Sequence, residues 1–234
     1  MSHVIFDNVS LKFPINNSDY PSSLKNYISS KFFKKKQFSS ENIKLEEIKA
    51  LENISFNIND GDRVGIIGHN GSGKTSLLKV IAGIYEVDQG RIEIHGKILP
   101  MLSLVVGIDV EANAYENMYL RGKILGYSSS YINSKVDSIA AFSELGKFLD
   151  YPLRTYSHGM LMRLAFAIST HLDADILLMD EWLSVGDGDF NVKANAKLNS
   201  LIDNSRILFL ASHDKNLIKK VCNKVIMLDN GKLV

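Results

Sequence analysis

The loop Gly68-His-Asn-Gly-Ser-Gly-Lys-Thr75 constrains this chain more than any other stretch. It follows the apolar run Val64-Gly-Ile-Ile67 and precedes a segment in which Leu77, Leu78 and Ile81 keep helical spacing as far as Gly83. A short run without polar interruption reads as a strand buried inside a sheet. Strand, glycine-rich turn and helix in that order bring main-chain N–H groups and the positive end of a helix to one point. Gly68, Gly71 and Gly73 allow the backbone to curl so that those N–H groups converge on phosphate oxygens. The spacing G-x-x-x-x-G-K-[ST] is met without a mismatch, so the expected ligand is ATP with Mg²⁺. Lys74 is expected to bridge the β- and γ-phosphates and the Thr75 hydroxyl to ligate the metal. His69, Asn70, Ser72 and Ser76 complete the expected nucleotide contacts.

The remainder of the chain suits such a loop. Val9, Leu11 and Phe13 alternate with polar residues, as do Ile54, Phe56 and Ile58, and both stretches read as strands. Ile92 and Ile94 mark another strand. From about Glu111 to Asp150 the spacing is helical throughout. Helix and strand then alternate: helix 158–171, strand 176–179, helix about 190–203, strand 207–210, helix about 215–222 and strand 225–228. Alternation of this kind predicts a largely parallel sheet with helices on both faces. Of 234 residues 45% are apolar, enough for a substantial core, and the net charge of +1 gives no field that would favour nucleic acid. The lone Cys222 excludes a disulfide framework and a zinc cluster. Neither a signal peptide nor a membrane-spanning run is expected.

Two further elements carry chemistry. Ile176-Leu-Leu-Met-Asp180-Glu181 delivers two carboxylates to the carboxyl end of a strand, where open α/β sheets bind ligands. Asp180 is expected in the magnesium shell and Glu181 as general base on the attacking water. Ser212-His213-Asp214 follows the strand 207–210, which would aim His213 into the same crevice. By itself a lone histidine reads as structural; beside the other two elements it reads as a γ-phosphate contact.

These elements, in this order, resemble the nucleotide-binding subunit of an ABC transporter over essentially the whole chain. The resemblance implies an α/β fold: a P-loop NTPase (RecA-like) core with an antiparallel β subdomain and a helical subdomain at about 108–165, the chain forming a single domain, 1–234. The family signature falls at Tyr156-Ser157-His158-Gly159-Met160, with Arg163 downstream. Ser157, Gly159 and Arg163 match the common Leu-Ser-Gly-Gly-Gln form, while Tyr156, His158 and Met160 depart from it. The Tyr-Ser-x-Gly-Met variant, the Val-Gly-Asp ending at Asp187 and a long insertion after the first strand are similar to exporters of O-antigen, capsule and teichoic acid. By this resemblance two copies of the chain sandwich two ATP molecules, Ser157 and Gly159 meeting the γ-phosphate held by the partner and Asp187 communicating across the dimer. Taken alone, Ser157 would read as an ordinary helix N-cap. The resemblance also makes Phe13 the candidate to stack on adenine, with a core phenylalanine as the alternative. The glutamine that most members carry before the helical subdomain is missing: its place, Ser103 or Leu104, holds none. An integral-membrane permease in two copies is the implied partner, at the cytoplasmic face of the cytoplasmic membrane, and no C-terminal carbohydrate-binding domain is expected. The rivals are a non-transport ABC ATPase, which would be expected to carry coiled-coil insertions or fused domains, an ATP-binding switch with little hydrolysis, and an importer or drug-exporter subunit.

Leu24, Tyr27, Ile28 and Phe32 share one helical face beside Lys25, Lys31, Lys34, Lys35 and Lys36. A helix at about 22–37 is either a solvated surface helix or an amphipathic element at the membrane surface. Deleting 22–37 is expected to spare the ATPase activity of the free subunit and to impair export in cells. Unchanged export of the glycan would assign the helix to the first kind.

Overall fold

The computed structural model describes residues 1–15, 46–181 and 188–234; the segment 22–37 and Asp187 lie outside them. Period-two alternation shapes the first two strands, with one twist. In β1 (His3–Ile15) the buried apolar side chains are Val4 and Phe6, then Val9 and Leu11, so the inward parity of the apolar set changes from even to odd. A register shift between Phe6 and Val9 absorbs the change, with Asn8 left-handed at φ 50°. β2 (Glu46–Asn59) repeats the device: Leu51 gives way to Ile54 and Ile58, with Asn53 at φ 52°. A bulge is what keeps both apolar sets on one face, since a one-residue slip would otherwise turn every side chain outward. Asparagine tolerates that backbone better than other non-glycine residues. Alternation could therefore be read only on the far side of each bulge.

β1 and β2 form an antiparallel sheet that β4 (Gln89–His95) completes, in the order β2-β1-β4. Before β4 come β3 (Arg63–Ile67) and α1 (Lys74–Ile81), the strand and helix on either side of the phosphate loop. β5 (Ile98–Met101) follows, a strand absent from the sequence expectations because Pro100 interrupts it. It is tolerated since β5 is the edge of its sheet, where a missing N–H costs no ladder bond. Next come α2 (Ala114–Ile124), α3 (Ser129–Ser143), 3₁₀ turns at Gly146–Asp150 and Leu153–Thr155, and α4 (His158–Thr170). β6 (Ile176–Asp180), α5 (Gly188–Asn204), β7 (Ile207–Ala211), α6 (Lys215–Val221), β8 (Lys224–Asp229) and the short β9 (Lys232–Leu233) end the chain.

The second sheet runs β5-β6-β7-β3-β8-β9, parallel except for the final hairpin, as the alternation of strands and helices predicts. Its two faces alternate residue by residue. Leu177, Met179, Leu208 and Leu210 pack with α2 to α5, while Ile176, Leu178, Ile207 and Phe209 pack with α1 and the antiparallel sheet. With apolar partners on both sides, β6 and β7 have no polar residue before Asp180 and Ser212. Among the described residues no helix is long and apolar enough to cross a membrane.

His171 closes α4 beneath the Phe142 ring, 5.0 Å away edge to face, and its Nδ1 lies 2.7 Å from the Ala167 carbonyl. The short contact requires Nδ1–H as donor. Burial first, then the Lys197, Lys135 and Lys193 charges, lowers its pKa to about 4. The unfolded chain therefore binds a proton near pH 6.5 that the native state refuses until about pH 4, and stability is lost as pH falls through that window. Chemical denaturation should show the wild type losing about 1–2 kcal/mol across it, solvent screening taken into account. His171→Gln should flatten that slope.

Candidate nucleotide site

Three strand ends meet at the carboxyl edge of the larger sheet. β3 pairs with β7 and β7 with β6, so that Ile66 and Asp180 both lie opposite Ala211. The register is locked past the strand ends: Glu181 N–H donates to the Ala211 carbonyl at 2.9 Å and Ser212 N–H to that of Ile66 at 3.3 Å. The loop after β3, the Asp-Glu pair after β6 and His213 after β7 are brought together by this pairing. They line a cavity of about 550 Å³ with Asn70, Gly71, Gly73, Lys74, Thr75 and Ser76 on one wall and Asp180, Glu181 and His213 opposite. Phe13, Ile48, Lys49 and Ala50, from the antiparallel sheet, form the third wall.

The loop's shape depends on its glycines. Gly68, Gly71 and Gly73 all have positive φ. Gly73 is the N-cap of α1 with no side-chain cap, leaving the first N–H groups of the helix open toward the cavity. Lys74 is buried, and its ammonium donates to the carbonyls of Gly68 (2.9 Å) and His69 (3.0 Å) rather than to a carboxylate. A buried cation so placed fits an anionic ligand. Thr75 Oγ1 donates to Asp180 Oδ2 at 2.7 Å. A hydroxyl and a carboxylate in contact at the phosphate end are the hard oxygen donors Mg²⁺ takes when phosphates and water supply its other ligands. Among the described residues no cluster of three or more His, Cys, Asp or Glu could hold a metal without such help.

Glu181 stands at φ +71°, a left-handed backbone that a residue of its kind rarely adopts. Strain of this sort costs on the order of 1–3 kcal/mol and collects at functional sites. The carboxylate it aims accepts from Ser212 Oγ at 3.2 Å, and its other oxygen lies 3.8 Å from His213 Nε2. Ser212 in turn accepts from Asp214 N–H at 3.1 Å.

Other positions fall elsewhere. Ser72 is fully buried with its hydroxyl unpartnered and pressed toward Gly68, its N–H donates to the His69 carbonyl at 3.1 Å, and it does not line the cavity. Gly68 and His69 line an adjoining cavity of about 340 Å³. Ser157 caps α4, its hydroxyl accepting from Met160 N–H at 3.2 Å, and neither it nor Gly159 lines the nucleotide cavity. Phe13 reaches the cavity wall while meeting Tyr85 edge to face at 5.2 Å. At Ser103 and Leu104, Leu104 is buried and its carbonyl accepts from Arg121. Burial lowers the Arg121 pKa to about 10, so keeping it charged there costs on the order of 3 kcal/mol.

Sequence reasoning missed the braces. Gly231 N–H in the β8–β9 turn donates to the Ser72 carbonyl at 2.9 Å, and His69 Nε2 lies 3.0 Å from Asp229 Oδ1. Asn230-Gly231 at positive φ carried a hairpin signal, but nothing local tied it to a loop some 160 residues earlier. Ser212 was legible only as a neighbour of His213.

A doubly covered parallel sheet with a glycine loop, a Thr–Asp pair and a strained glutamate at its carboxyl edge defines the phosphate-loop nucleotide-binding class. Comparison with known proteins names the family. The ABC transporter family model matches residues 51–184. The chain is 41% identical over 231 residues to the O-antigen export system ATP-binding protein RfbE of Yersinia enterocolitica, covering 99% of this chain and 96% of that one. It is 44% identical to the O-antigen export system ATP-binding protein RfbB of Myxococcus xanthus, across 79% of this chain and 42% of the relative. With the teichoic acids export ATP-binding protein TagH of Lactococcus lactis it shares 40% identity, across 88% of this chain and 44% of the relative. Thus it spans nearly all of the first and under half of the other two. Its fold matches a dimeric ATP-binding cassette in a post-hydrolysis state bound to ADP and Pi, with a TM-score of 0.68 at 20% identity, over 98% of this chain and 96% of that one. The chain belongs to the ABC transporter family.

At Gly73 a Cβ would lie 2.7 Å from the Ala50 carbonyl on a backbone at φ +108°. Gly73→Ala is expected to cost about 2 kcal/mol or more of stability and to weaken binding of a fluorescent ATP analogue by about tenfold. Denaturant unfolding and a binding titration check the two effects.

Proposed function

We propose that this chain is the ATP-hydrolysing subunit of an ABC transporter that exports a bacterial cell-surface polysaccharide: O-antigen, capsule or teichoic acid. The observation that carries the reading is the convergence of Lys74, Thr75, Asp180, Glu181 and His213 on one cavity, with Glu181 held in a strained backbone. The names of the similar relatives support the glycan class. In this reading the N–H groups of Gly71, Gly73, Lys74 and Thr75 and the Lys74 ammonium hold the β- and γ-phosphates, and Phe13 offers its ring to the adenine. Thr75 and Asp180 hold Mg²⁺, which supplies charge neutralisation at the phosphates when bound. A water aligned by Glu181 attacks the γ-phosphorus as its bond to the bridging oxygen breaks. Glu181 takes the water's proton, His213 orients the transferring group, and ADP and inorganic phosphate leave.

The chain acts as one domain with a helical subdomain at about 108–165. Ser157 and Gly159, which do not line the cavity of their own chain, close over the nucleotide of a second copy. Asp187 signals between the two copies. The homodimer drives a permease of two copies from the cytoplasmic face of the membrane. Glu181→Gln is expected to bind ATP with wild-type affinity and to lower kcat by about a thousandfold. Turnover near wild type in a phosphate-release assay would remove the base assignment.

A further inference from the structure

Arg121 is buried on α2, its Nε has no partner, and burial alone sets its ionisation, with no acidic neighbour contributing. A leucine would fill such a place at no electrostatic cost. What the guanidinium does is donate from Nη1 to two main-chain carbonyls, Leu104 at 2.6 Å and Val106 at 2.7 Å. Both belong to the loop that leaves β5. β5 runs parallel to β6 with Met101 opposite Met179, so the loop starts beside Asp180 at the rim of the nucleotide cavity. The loop has little packing of its own: Leu104 is buried, but Val105 is 40% and Val106 69% exposed. Its far end is gripped by the same helix. Asn117 accepts from Asp109 N–H at 2.8 Å and donates back to the Asp109 carbonyl at 2.8 Å. Asn117 and Arg121 are four residues apart and share one face of α2.

We infer that Arg121 is a positioning residue that fastens the cavity-side loop 102–107 to α2, so that loop and helix answer bound nucleotide as one body. The inference rests on the ATPase reading above, because only turnover makes that coupling visible in kinetics. With the guanidinium in place, a change at the phosphate end of the cavity reaches α2 through main-chain carbonyls rather than through a loose loop.

The experiment uses the full chain with Arg121→Met, which keeps the bulk and removes every donor, and Arg121→Lys, which keeps a charged donor. Steady-state hydrolysis and amide exchange with and without Mg-ATP are read together. For Arg121→Met, KM is expected within about twofold of wild type and kcat down about tenfold. Exchange at 102–107 should rise about tenfold and lose its response to Mg-ATP. Arg121→Lys should recover kcat to within about threefold of wild type. Wild-type kcat in Arg121→Met with an unchanged exchange pattern overturns the inference. So does an equal loss in both variants that tracks their global unfolding, which marks a purely structural residue. If Arg121→Met does not fold, Arg121→Leu, which also has no donor, takes its place under the same criteria. A wild-type chain that binds ATP but never hydrolyses it defeats the ATPase reading instead, and Arg121 is then judged on exchange alone.

Discussion

The pairing of β3, β7 and β6 governs everything at the carboxyl edge of the sheet. Parallel ladders set residues level across strands, and here Ile66 and Asp180 both stand opposite Ala211. One residue of slip in β6 would swing Asp180 to the opposite face and leave the Thr75 hydroxyl without its 2.7 Å partner. The two hydrogen bonds past the strand ends, from Glu181 and Ser212, resist that slip. Side chains far apart in sequence therefore meet with little freedom, which a site for a transferring phosphoryl group requires.

The site is polar at the edge of an apolar slab. β6 and β7 are buried on both faces until their last residues, so the first polar groups along them are those that face the cavity. The phosphate loop is held from outside by the β8–β9 turn and from beneath by Ala50 and Leu51, which crowd Gly73. Arg121 and Asn117 hold the next loop from the helical side. The cavity sits among separate braces, each donated by a different element.

Local readings reached furthest where one residue type has one physical purpose. The glycine loop, the Asp-Glu strand end and His213 were named from the chain and are brought to one cavity. The parallel sheet followed from alternation. β1 was read only from Val9 because the bulge at Asn8 changes the inward parity, and a period-two pattern cannot be followed through a change of phase. β5 was missed because Pro100 argues against a strand unless the strand is known to be an edge, which is a tertiary fact.

By itself the sequence determined the ligand class and the order of the elements, since backbone freedom at glycine, burial of apolar runs and the spacing of Lys74 and Thr75 are local properties. Only the tertiary structure decided which groups serve which. It turned the Ser72 side chain inward, set Glu181 in a left-handed backbone, tied His69 to Asp229, and placed a buried arginine on two carbonyls of a loop beside the cavity. Each of these depends on a partner from another strand or helix, and residues distant along a chain carry no local mark of their partner until the sheet register brings them together.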